Sequence, residues 1–394
     1  MRPLKVALFS DSFLPVLNGV SISIKALVDE LRRQGHSVHV FTAAYFRHQD
    51  SDPNIVRFPA LHTPWAKGYP FAFPPFYPML RHFRAHEFDV IHTHTPFTIG
   101  FVGLRWAESH GIPIVTTYHT LYDKYAHYVP YSPKRYTRYK IAKHTNFYYN
   151  KVDQVITPSE ASLRWLQRHS VRKPITVIPT STLVRRPLNG GELRLAKGIP
   201  LDRQVLLYVG RIAREKNLET LLAAFSYIAK AKPDTLLVVV GDGPYRKECT
   251  EMARSLGIGD RVRFEGFVPR ELVDEYYALA DLFLFASTTE TQGLVVTEAM
   301  NYGLPAVVVQ GGGAGAAVIP GQNGFLVRND ARDLAEAALS VLGNNDLLDS
   351  LSRAAVESVR SYTVEDMTRA VLGVYGRAMG MESGEPDPAD FAVR

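Results

Sequence analysis

The chain has 394 residues, of which 46% are hydrophobic and 21% charged, so it is long enough for two domains and too apolar for wholesale disorder. Its single cysteine, Cys249, excludes an internal disulfide framework and is typical of a protein in a reducing cytoplasm. The net charge of +6 leaves nucleic acid, anionic lipid and phosphorylated substrates open as partners. The N-terminal apolar run of about five residues predicts a first strand rather than a signal peptide, and no later run reaches the roughly 20 apolar residues of a membrane-spanning helix.

Short runs rich in Val, Ile and Phe alternate with stretches of helical periodicity along the chain. The candidate strands of the first half are "KVALFSD", "HSVHVFT", "NIVRFPA", "DVIHTH", "PIVTTYH", "DQVITPS" and "ITVIPT". Those of the second half are "QVLLYVGR", "TLLVVVGDG", "RVRFEGF", "DLFLFAS", "PAVVV" and "GFLV". Because these strands are apolar on both faces, the pattern predicts parallel sheets covered by helices.

A polar break with Gly and Pro at residues 181–200 separates the two sets of strands and reads as a linker. We therefore predict two doubly wound α/β domains, residues 1–180 and 181–362, facing each other across a deep cleft. A last helix, at about residues 363–380, is expected to pack back on the first domain. The tail 381–394 is rich in Pro and acidic residues, and we expect it to be disordered.

Two loops of the first half can be assessed from local chemistry. "FSDSFLPVLNGVSISI" places a loop before a helix that begins near Gly19, and a helix N-terminus favours anions. The loop lacks G-x-G-x-x-G, which weakens any interpretation as a dinucleotide-binding oxidoreductase. A D-x-D, Asp50–Asp52, lies in a polar loop before Pro53, so a solvated turn is favoured over a metal site, and we predict no metal.

Two further segments combine aromatic residues with positive charge or proline. Trp65, Phe71 and Phe76 lie in "TPWAKGYPFAFPPFYPML", which either forms an aromatic lip that guides an acyl chain or folds under itself and joins the core. From Lys124 to Val152 there is no acidic residue, while cations and tyrosines follow one another near residues 134–150. This helix is either a solvated face or a contact for an anionic membrane surface.

In the second half, "YVGRIAREKNL" ends a strand at Gly210, places Arg211 and Lys216 in the turn, and begins a helix near Asn217. Such a turn suits a diphosphate, although taken alone a solvated turn is the simpler interpretation. Gly241 in "GDGP" ends the next strand, where glycines either let a ligand approach the backbone or form a tight turn.

Two glutamates, Glu290 and Glu298, are separated by seven residues in "STTETQGLVVTEAMNYGLP". Neither apolar flank offers a salt-bridge partner, and a carboxylate near a core without partners costs several kcal/mol. We expect Glu290 in a loop, Glu298 within a short helix, and the hydroxyls of a polyhydroxylated ligand as their partners. Gly293 would let backbone N–H groups approach the same ligand. The alternative is a helix-capping glutamate beside a solvated one.

Taken together, "GRIAREKNL", "GDGP", "ETQGLVVTEAMNYGLP" and "NGFLV" resemble the retaining glycosyltransferases of the GT-B fold, family 4, over nearly the whole chain. The resemblance implies a nucleotide-sugar donor, no cofactor and no catalytic metal. It implies that Glu298 binds the ribose hydroxyls and Glu290 the donor sugar. Arg211 and Lys216 would bind the diphosphate, which the backbone at Gly19 would also contact. His119 would approach the transferred sugar. The implied catalytic residues are His119, Glu290, Arg211 and Lys216. The implied donor-binding residues are Gly19, Gly210, Arg211, Lys216, Gly241, Glu290, Gly293, Leu294 and Glu298.

Within that family, "TYHTLYDKYAHYVPY" and "TETQG" are similar to bacterial diacylglycerol glycosyltransferases. This similarity implies transfer of glucose or galactose from a UDP-sugar to a membrane lipid by an enzyme peripherally bound at the inner face of the plasma membrane. The implied acceptor and membrane residues are Trp65, Phe71, Phe76, Tyr122, Tyr125, Arg135, Arg138 and Lys143. The chain departs from the pattern at "STLVRR" and at "GGGAGAAVIPGQNGF", which lacks an acidic residue after the glycines.

Three other functions remain open at this point. A soluble sugar or small alcohol would serve as acceptor for the same chemistry. A nucleotide-sugar epimerase would use a similar two-domain cleft but leaves the aromatic, basic first domain unexplained. A non-catalytic membrane-binding protein has no need of the intact donor elements. Nucleic acid is supported by net charge alone, and we do not expect it as a partner.

Overall fold

The computed structural model describes residues 2–16, 18–61, 70–73, 76–121, 133–181, 188–360 and 362–381. It divides into two compact units, the first made of Met1–Ser181 with Val364–Arg394 and the second of Thr182–Thr363. No helix among the described residues has both the length and the apolar character that crossing a bilayer requires.

Strands and helices alternate along both units. The strands of the described residues are β1 (Lys5–Ser10), β2 (Ser37–Ala43), β3 (Ile55–Phe58), β4 (Ala60–Leu61), β5 (Phe71–Ala72), β6 (Val90–Thr93), β7 (Ile114–Thr117), β8 (Gln154–Thr157), β9 (Ile175–Val177), β10 (Gln204–Val209), β11 (Thr235–Val240), β12 (Val262–Gly266), β13 (Leu282–Phe285), β14 (Ala306–Val309) and β15 (Gly324–Val327). The α-helices are α1 (Gly19–Arg33), α2 (Tyr77–Arg84), α3 (Thr98–His110), α4 (Lys134–Tyr149), α5 (Glu160–Arg168), α6 (Gly190–Ala196), α7 (Leu218–Ala231), α8 (Arg246–Ser255), α9 (Arg270–Leu279), α10 (Leu294–Asn301), α11 (Ala331–Leu342), α12 (Asn345–Arg360) and α13 (Val364–Ala378).

The first unit is built on a seven-stranded sheet in the order β3-β2-β1-β6-β7-β8-β9. All neighbouring pairs are parallel, and Val6 of β1 lies opposite Val38 on one side and Val90 on the other. The strand order runs in opposite directions from β1 and β6, which makes the carboxyl ends of these two strands a topological switch point. Aromatic rings fill one side of the core, where Phe9 stacks on Phe41 at 4.6 Å.

The second unit contains a six-stranded parallel sheet in the order β12-β11-β10-β13-β14-β15, with its switch point between β10 and β13. Its core is mainly aliphatic, with Val, Leu and Ile from strands and helices packed together. Each of the candidate strands read from the sequence appears in one of the two large sheets. The prediction of two doubly wound parallel α/β domains is therefore confirmed.

The break at residues 181–200 is less irregular than the sequence indicates, because α6 lies inside it. Asn189 caps this helix by accepting from the N–H groups of Gly191 and Glu192. Arg194 donates to the Leu279 carbonyl oxygen at 2.6 Å and pairs with Asp281 at 2.7 Å. Reading the whole break as a linker was wrong, since contacts with distant residues hold this short helix in place. Residues 182–187 lie outside the described part of the chain.

The last described helix, α13, returns to the first unit and packs on α1, β7 and β8. Its Tyr375 hydroxyl lies 2.7 Å from His92 Nδ1, and Glu365 pairs with Arg33 at 3.3 Å. The first unit is thus completed by a segment that follows the second unit in the sequence. Most of the tail, residues 382–394, falls outside the described residues.

Candidate active site

The carboxyl end of β10 leads into the turn that the sequence marks as an anion site. Gly210 has φ of 153°, and a short 3₁₀ turn over Arg214–Lys216 follows. Asn217, in the left-handed conformation at φ of 58°, precedes α7 and donates from Nδ2 to the Ala286 carbonyl oxygen at 3.1 Å. This bond ties the turn to the end of β13, the neighbouring strand at the switch point.

Lys216 and Glu290 form an ion pair at this end of the sheet. Lys216 Nζ donates to Glu290 Oε1 at 2.5 Å, and the two side chains are 14% and 20% exposed. The backbone carbonyl of Glu290 accepts from Gly313 N at 2.7 Å, which fixes the loop that carries it. The expectation that Glu290 lacks a protein partner was wrong. Its partner, Lys216, lies 74 residues earlier in the chain. The residues that flank Glu290 in the sequence therefore could not reveal it.

Glu298 also has protein partners. It is the fifth residue of α10 and is 9% exposed. Arg270 donates to Oε1 at 2.6 Å, and the Tyr277 hydroxyl donates to Oε2 at 2.9 Å. Burial and the charge of Glu298 raise the pKa of Tyr277 well above its usual value, so this phenol stays a donor. Both partners lie on α9, and the idea that only ligand hydroxyls remain for Glu298 was wrong.

The glycines of the motifs allow close packing between backbone segments. A Cβ at Gly241 would lie 2.0 Å from the Gly210 carbonyl oxygen, and one at Gly313 would lie 1.7 Å from that of Thr291. Gly293 has φ of 77°, directly precedes α10, and packs against Ala314. The approach that these glycines permit is that of the chain's own backbone. Leu294, partly buried, is the first residue of α10.

Arg211, the second cation of the turn, follows Gly210 directly. Its side chain is exposed, and its carbonyl oxygen accepts from the Tyr208 hydroxyl at 3.2 Å. Burial raises the pKa of that hydroxyl, so Tyr208 remains neutral and holds the backbone of the turn.

In the first unit, His119 lies just beyond β7, next to His94, which lies just beyond β6. His94 Nδ1 and His119 Nε2 are 2.8 Å apart and share one proton. The ring of His92 lies 4.1 Å from that of His94, and His92 Nε2 contacts the Thr117 hydroxyl at 2.7 Å. Because β6 and β7 are parallel neighbours, their carboxyl ends bring the three histidines together.

The three histidines are neutral at neutral pH. Burial lowers the pKa of His119 to about 4. Burial and the neighbouring His119 lower the pKa of His92 to about 3. Burial, His92 and His119 lower the pKa of His94 well below its usual value. His119 therefore acts as a neutral hydrogen-bonding group, and its orientation depends on His94.

Gly19 is exposed at the first position of α1, as expected from the sequence. Asn18 caps the helix by accepting from Ser21 N at 2.9 Å, and the Asn18 amide donates to the Ser12 hydroxyl at 2.8 Å. The nearby Asp11 accepts from the Thr95 hydroxyl at 2.6 Å and is buried, which raises its pKa. These bonds hold the loop after β1 at the switch point.

The basic segment forms α4, whose exposed face carries both charge and aromatic rings. The exposed cations with described side chains are Arg135, Arg138, Lys140 and Lys143. The exposed aromatics are Tyr136, Tyr139 and Phe147, each at least half exposed. Tyr148 and Tyr149, on the opposite face, are buried in the core.

The aromatic segment gives a mixed result. Phe76 packs edge-on against Phe58 at 5.2 Å, which favours the interpretation that this residue joins the core. Phe73 and Tyr77 are 46% and 71% exposed. Trp65, Tyr122 and Tyr125 lie outside the described residues, and only the backbone of Phe71 is described, in β5.

The D-x-D has arginine partners. Asp50 pairs with Arg57 at 2.6 Å and lies near His48, and Asp52 pairs with Arg32 at 2.6 Å. Both side chains are partly buried, so the picture of a freely solvated turn was too simple.

Sequence reasoning missed Arg270, Tyr277, His92 and His94. The alternation "HTH" puts His92 and His94 on one face of a strand, and His119 follows the next strand. This pattern could have predicted that the three histidines lie together. No local signal marks Arg270 and Tyr277, because they reach Glu298 from a separate helix, α9, by side-chain hydrogen bonds.

Family models match both units. One described as Glycosyltransferase Family 4 covers residues 17–182, and one described as Glycosyl transferases group 1 covers residues 191–358. Two relatives are alpha-monoglucosyldiacylglycerol synthases. That of Streptococcus pneumoniae is 36% identical over 318 residues, covering 77% of this chain and 70% of the relative. That of Acholeplasma laidlawii is 31% identical over 388 residues, covering 94% of this chain and 96% of the relative.

Among solved structures, sucrose-phosphate synthase from Thermosynechococcus elongatus is similar with a TM-score of 0.79 at 24% identity. The match covers 96% of this chain and 99% of that one. At this identity the likeness shows the fold, which is that of two Rossmann-like domains of the GT-B class.

Proposed function

The chain belongs to glycosyltransferase family 4, and we propose that it transfers glucose or galactose from a UDP-sugar to diacylglycerol with retention of anomeric configuration. The two relatives named for alpha-monoglucosyldiacylglycerol support the lipid acceptor and favour glucose. The enzyme is a hexosyltransferase of the GT-B class that works without a catalytic metal.

The observation that carries the proposal is the contact between Lys216 and Glu290 at 2.5 Å. In a nucleotide sugar, the diphosphate is bonded directly to the anomeric carbon. A cation for the diphosphate and a carboxylate for the sugar hydroxyls must therefore lie next to each other. When the donor binds, Lys216 would turn part of its charge to the diphosphate, and Glu290 would accept from the sugar.

The leaving diphosphate gains negative charge as its bond to the sugar breaks. Lys216 and Arg211 would stabilise that charge electrostatically, which is most effective when the cations are already in position. The tie from Asn217 to Ala286 at 3.1 Å supports such preorganisation of the turn. Backbone groups at Gly210 and Gly241 would line the same phosphates.

Glu298 is proposed to bind the ribose. Arg270 donates to one of its carboxylate oxygens and the Tyr277 hydroxyl donates to the other. The ribose hydroxyls would donate to this carboxylate, whose orientation the two side chains of α9 fix. Gly293 and Leu294, at the start of α10, would contribute backbone N–H groups.

In the first unit, His119 is proposed to hydrogen-bond a hydroxyl of the transferred sugar as a neutral imidazole. Its low pKa, about 4, excludes a role as a cation at neutral pH. Gly19, at the N-terminus of the fifteen-residue helix α1, would place N–H groups and the positive end of the helix dipole near the phosphates.

The acceptor is proposed to reach the enzyme at the inner, cytoplasmic face of the plasma membrane. The exposed face of α4 combines Arg135, Arg138 and Lys143 with aromatic rings, a composition that suits an anionic interface. Exposed Phe73 and Tyr77 are better placed than Phe76 to contact an acyl chain.

The test is a panel of nucleotide sugars offered with diacylglycerol in anionic vesicles, with the lipid products separated and their anomeric configuration assigned by NMR. We expect an α-hexosyl diacylglycerol from UDP-glucose or UDP-galactose. Lys216→Ala should nearly abolish product, whereas Arg214→Ala, which removes an exposed cation from the same turn, should not. Transfer to glycerol or a free sugar in preference to diacylglycerol would replace the lipid acceptor by a soluble one.

A further inference from the structure

Three histidines outside the candidate active site converge between a strand and a helix of the first unit. His39 lies on β2, His82 on α2, and His86 two residues after that helix ends. One ring nitrogen from each lies within 4.8 Å of the others, the one such group of three found among the described residues. We propose that this trihistidine cluster binds a divalent zinc ion that holds α2 against the sheet.

The distances are close to those of a zinc site. With Zn–N bonds of about 2.0–2.1 Å, tetrahedral geometry places ligand nitrogens roughly 3.3 Å apart. His39 Nδ1 and His82 Nε2 are 3.1 Å apart. The third imidazole needs a shift on the order of 1 Å, which a ring at the end of a helix can make by rotation.

The hydrogen bonds leave suitable lone pairs. His86 Nδ1 donates to the His82 carbonyl oxygen at 2.8 Å, so its proton is on Nδ1 and its Nε2 carries a lone pair. Metal-binding histidines commonly donate their second N–H to a backbone carbonyl in this way. Between His39 and His82 one proton is shared; zinc would replace this contact with two coordinate bonds, and the proton would move to the other nitrogen of its ring.

The surroundings suit a neutral ligand set around a cation. Burial lowers the pKa of His39 to about 4 and, less strongly, that of His82, so these rings are neutral at neutral pH. Besides His86 and His82, Arg32 and Asp52 act on His39, and these two pair with each other at 2.6 Å. Phe88 packs on His39 and on His86 at 5.2 Å and 5.9 Å, which shields one side from water.

The other side offers an entry path, because His82 and His86 are only partly buried. Water would complete the fourth position, since three imidazoles are the ligands identified. Imidazole nitrogen suits zinc and neighbouring late first-row ions and is a poor ligand for magnesium.

Two strands of the sheet, β1 and β6, separate β2, which carries His39, from β7, which precedes His119. Because the ion would lie two strands away from the strand that precedes His119, it would act structurally rather than in the reaction.

The test uses the full chain, without an affinity tag, stripped with chelator and titrated with zinc chloride by calorimetry. We expect one equivalent bound, a zinc-dependent rise in melting temperature, and at least tenfold weaker binding in His82→Gln and in His86→Gln. His110→Gln, an exposed histidine of α3, is the matched control and should bind as the parent does. Absence of stoichiometric binding by the parent, or equal binding by the His82→Gln/His86→Gln double variant, would overturn the site.

A second measurement covers the case in which a variant fails to fold. Cobalt(II) added to the stripped parent should give the visible absorption of a tetrahedral site with nitrogen and oxygen ligands and no thiolate charge-transfer band. A thiolate band would assign the metal to Cys249 and would also overturn the proposal.

Discussion

At the scale of single residues, the two glutamates differ in how firmly the protein holds them. Lys216 donates to one oxygen of Glu290, whereas Arg270 and Tyr277 donate to both oxygens of Glu298. A carboxylate held at one oxygen, by a side chain that is proposed to bind the diphosphate, suits the part of the donor that changes during transfer. A group fixed from both sides suits the part that does not change.

This difference predicts different kinetic effects of Glu290→Gln and Glu298→Gln. A lost hydrogen bond to a charged group costs about 1.5–3 kcal/mol, which corresponds to roughly tenfold to a hundredfold in rate or affinity. We expect that loss mainly in kcat for Glu290→Gln and mainly in the donor KM for Glu298→Gln. The control is Glu271→Gln, an exposed glutamate of α9, and unfolding midpoints should show that the variants are folded. Unchanged kinetics in both variants would contradict the proposal that Glu290 and Glu298 bind the donor.

The buried histidines predict how stability depends on pH. Their pKa values in the folded state, about 4 for His119 and about 3 for His92, lie below the value near 6.5 of an unfolded chain. Between these values the unfolded state binds more protons, so their contribution is complete above about pH 6.5 and falls as pH decreases toward 4. Each histidine should contribute on the order of 1 kcal/mol per pH unit in that window.

Urea unfolding at several pH values above about 5, where carboxylates are still ionised, measures this slope. His92→Asn should reduce it even if that variant is less stable overall. An identical slope in the parent and in His92→Asn would contradict the assignment.

At the scale of elements, the sequence predicted the strands well and the side-chain partners poorly. Strands such as β11 and β14 are apolar on both faces, and this local property suffices to identify a buried parallel strand. The partners of Glu298, Arg270 and Tyr277, come from another helix, α9. Contacts of Arg194 with Leu279 and Asp281 hold the helix α6 in place. Such contacts join residues far apart in sequence, so no local pattern contains them.

The start of α10 gives a prediction about the glycine of the motif. Gly293→Ala should destabilise the fold more than Gly321→Ala, although both glycines have φ near 78°. A left-handed conformation costs any other residue about 1–2 kcal/mol. At Gly293 the added Cβ would also lie 2.8 Å from the Ala314 Cα, whereas nothing lies within 4 Å at Gly321. Overpacking should add about 1–3 kcal/mol, measured by urea unfolding, and equal losses in both variants would contradict it.

The face of α4 gives a prediction about membrane binding. Arg135, Tyr139, Lys143 and Phe147 recur every four residues, so they lie along one side of the helix, and all are exposed. Each cation near an anionic surface contributes about 1 kcal/mol, which supports reversible binding. We expect sedimentation with anionic vesicles, weak binding to neutral ones, and release as salt rises.

Reversal to Glu at Arg135, Arg138 and Lys143 should abolish that sedimentation while hydrolysis of the donor in solution continues. The matched control reverses three exposed cations of the second unit, Lys230, Lys247 and Arg254, and lowers the net charge equally. Equal loss of binding in both triple variants would mean that net charge alone attracts the protein and that α4 has no special part.

At the scale of the whole molecule, the two units carry different kinds of polar site. The second unit contains the ion pair of Lys216 with Glu290, and the first contains the trihistidine cluster at His39. The class of fold and the donor motifs could be predicted because each is a run of consecutive residues. The trihistidine cluster could be predicted only in part, since "HFRAH" shows two imidazoles one turn apart and β2 supplies the third.

This separation predicts two independent responses to removal of metal ions. If Lys216 and Arg211 supply the positive charge for the leaving diphosphate, as proposed, the initial rate of transfer at about 25 °C should be the same with chelator as with added magnesium. Zinc, by contrast, would stabilise the first unit by binding its folded state alone, so chelator should lower the melting temperature. In the His82→Gln/His86→Gln double variant the melting temperature should no longer respond to chelator, and the rate should equal that of the parent. A rate that requires magnesium or manganese would mean that a metal, rather than the two side chains, neutralises the diphosphate, and it would leave the zinc result untouched.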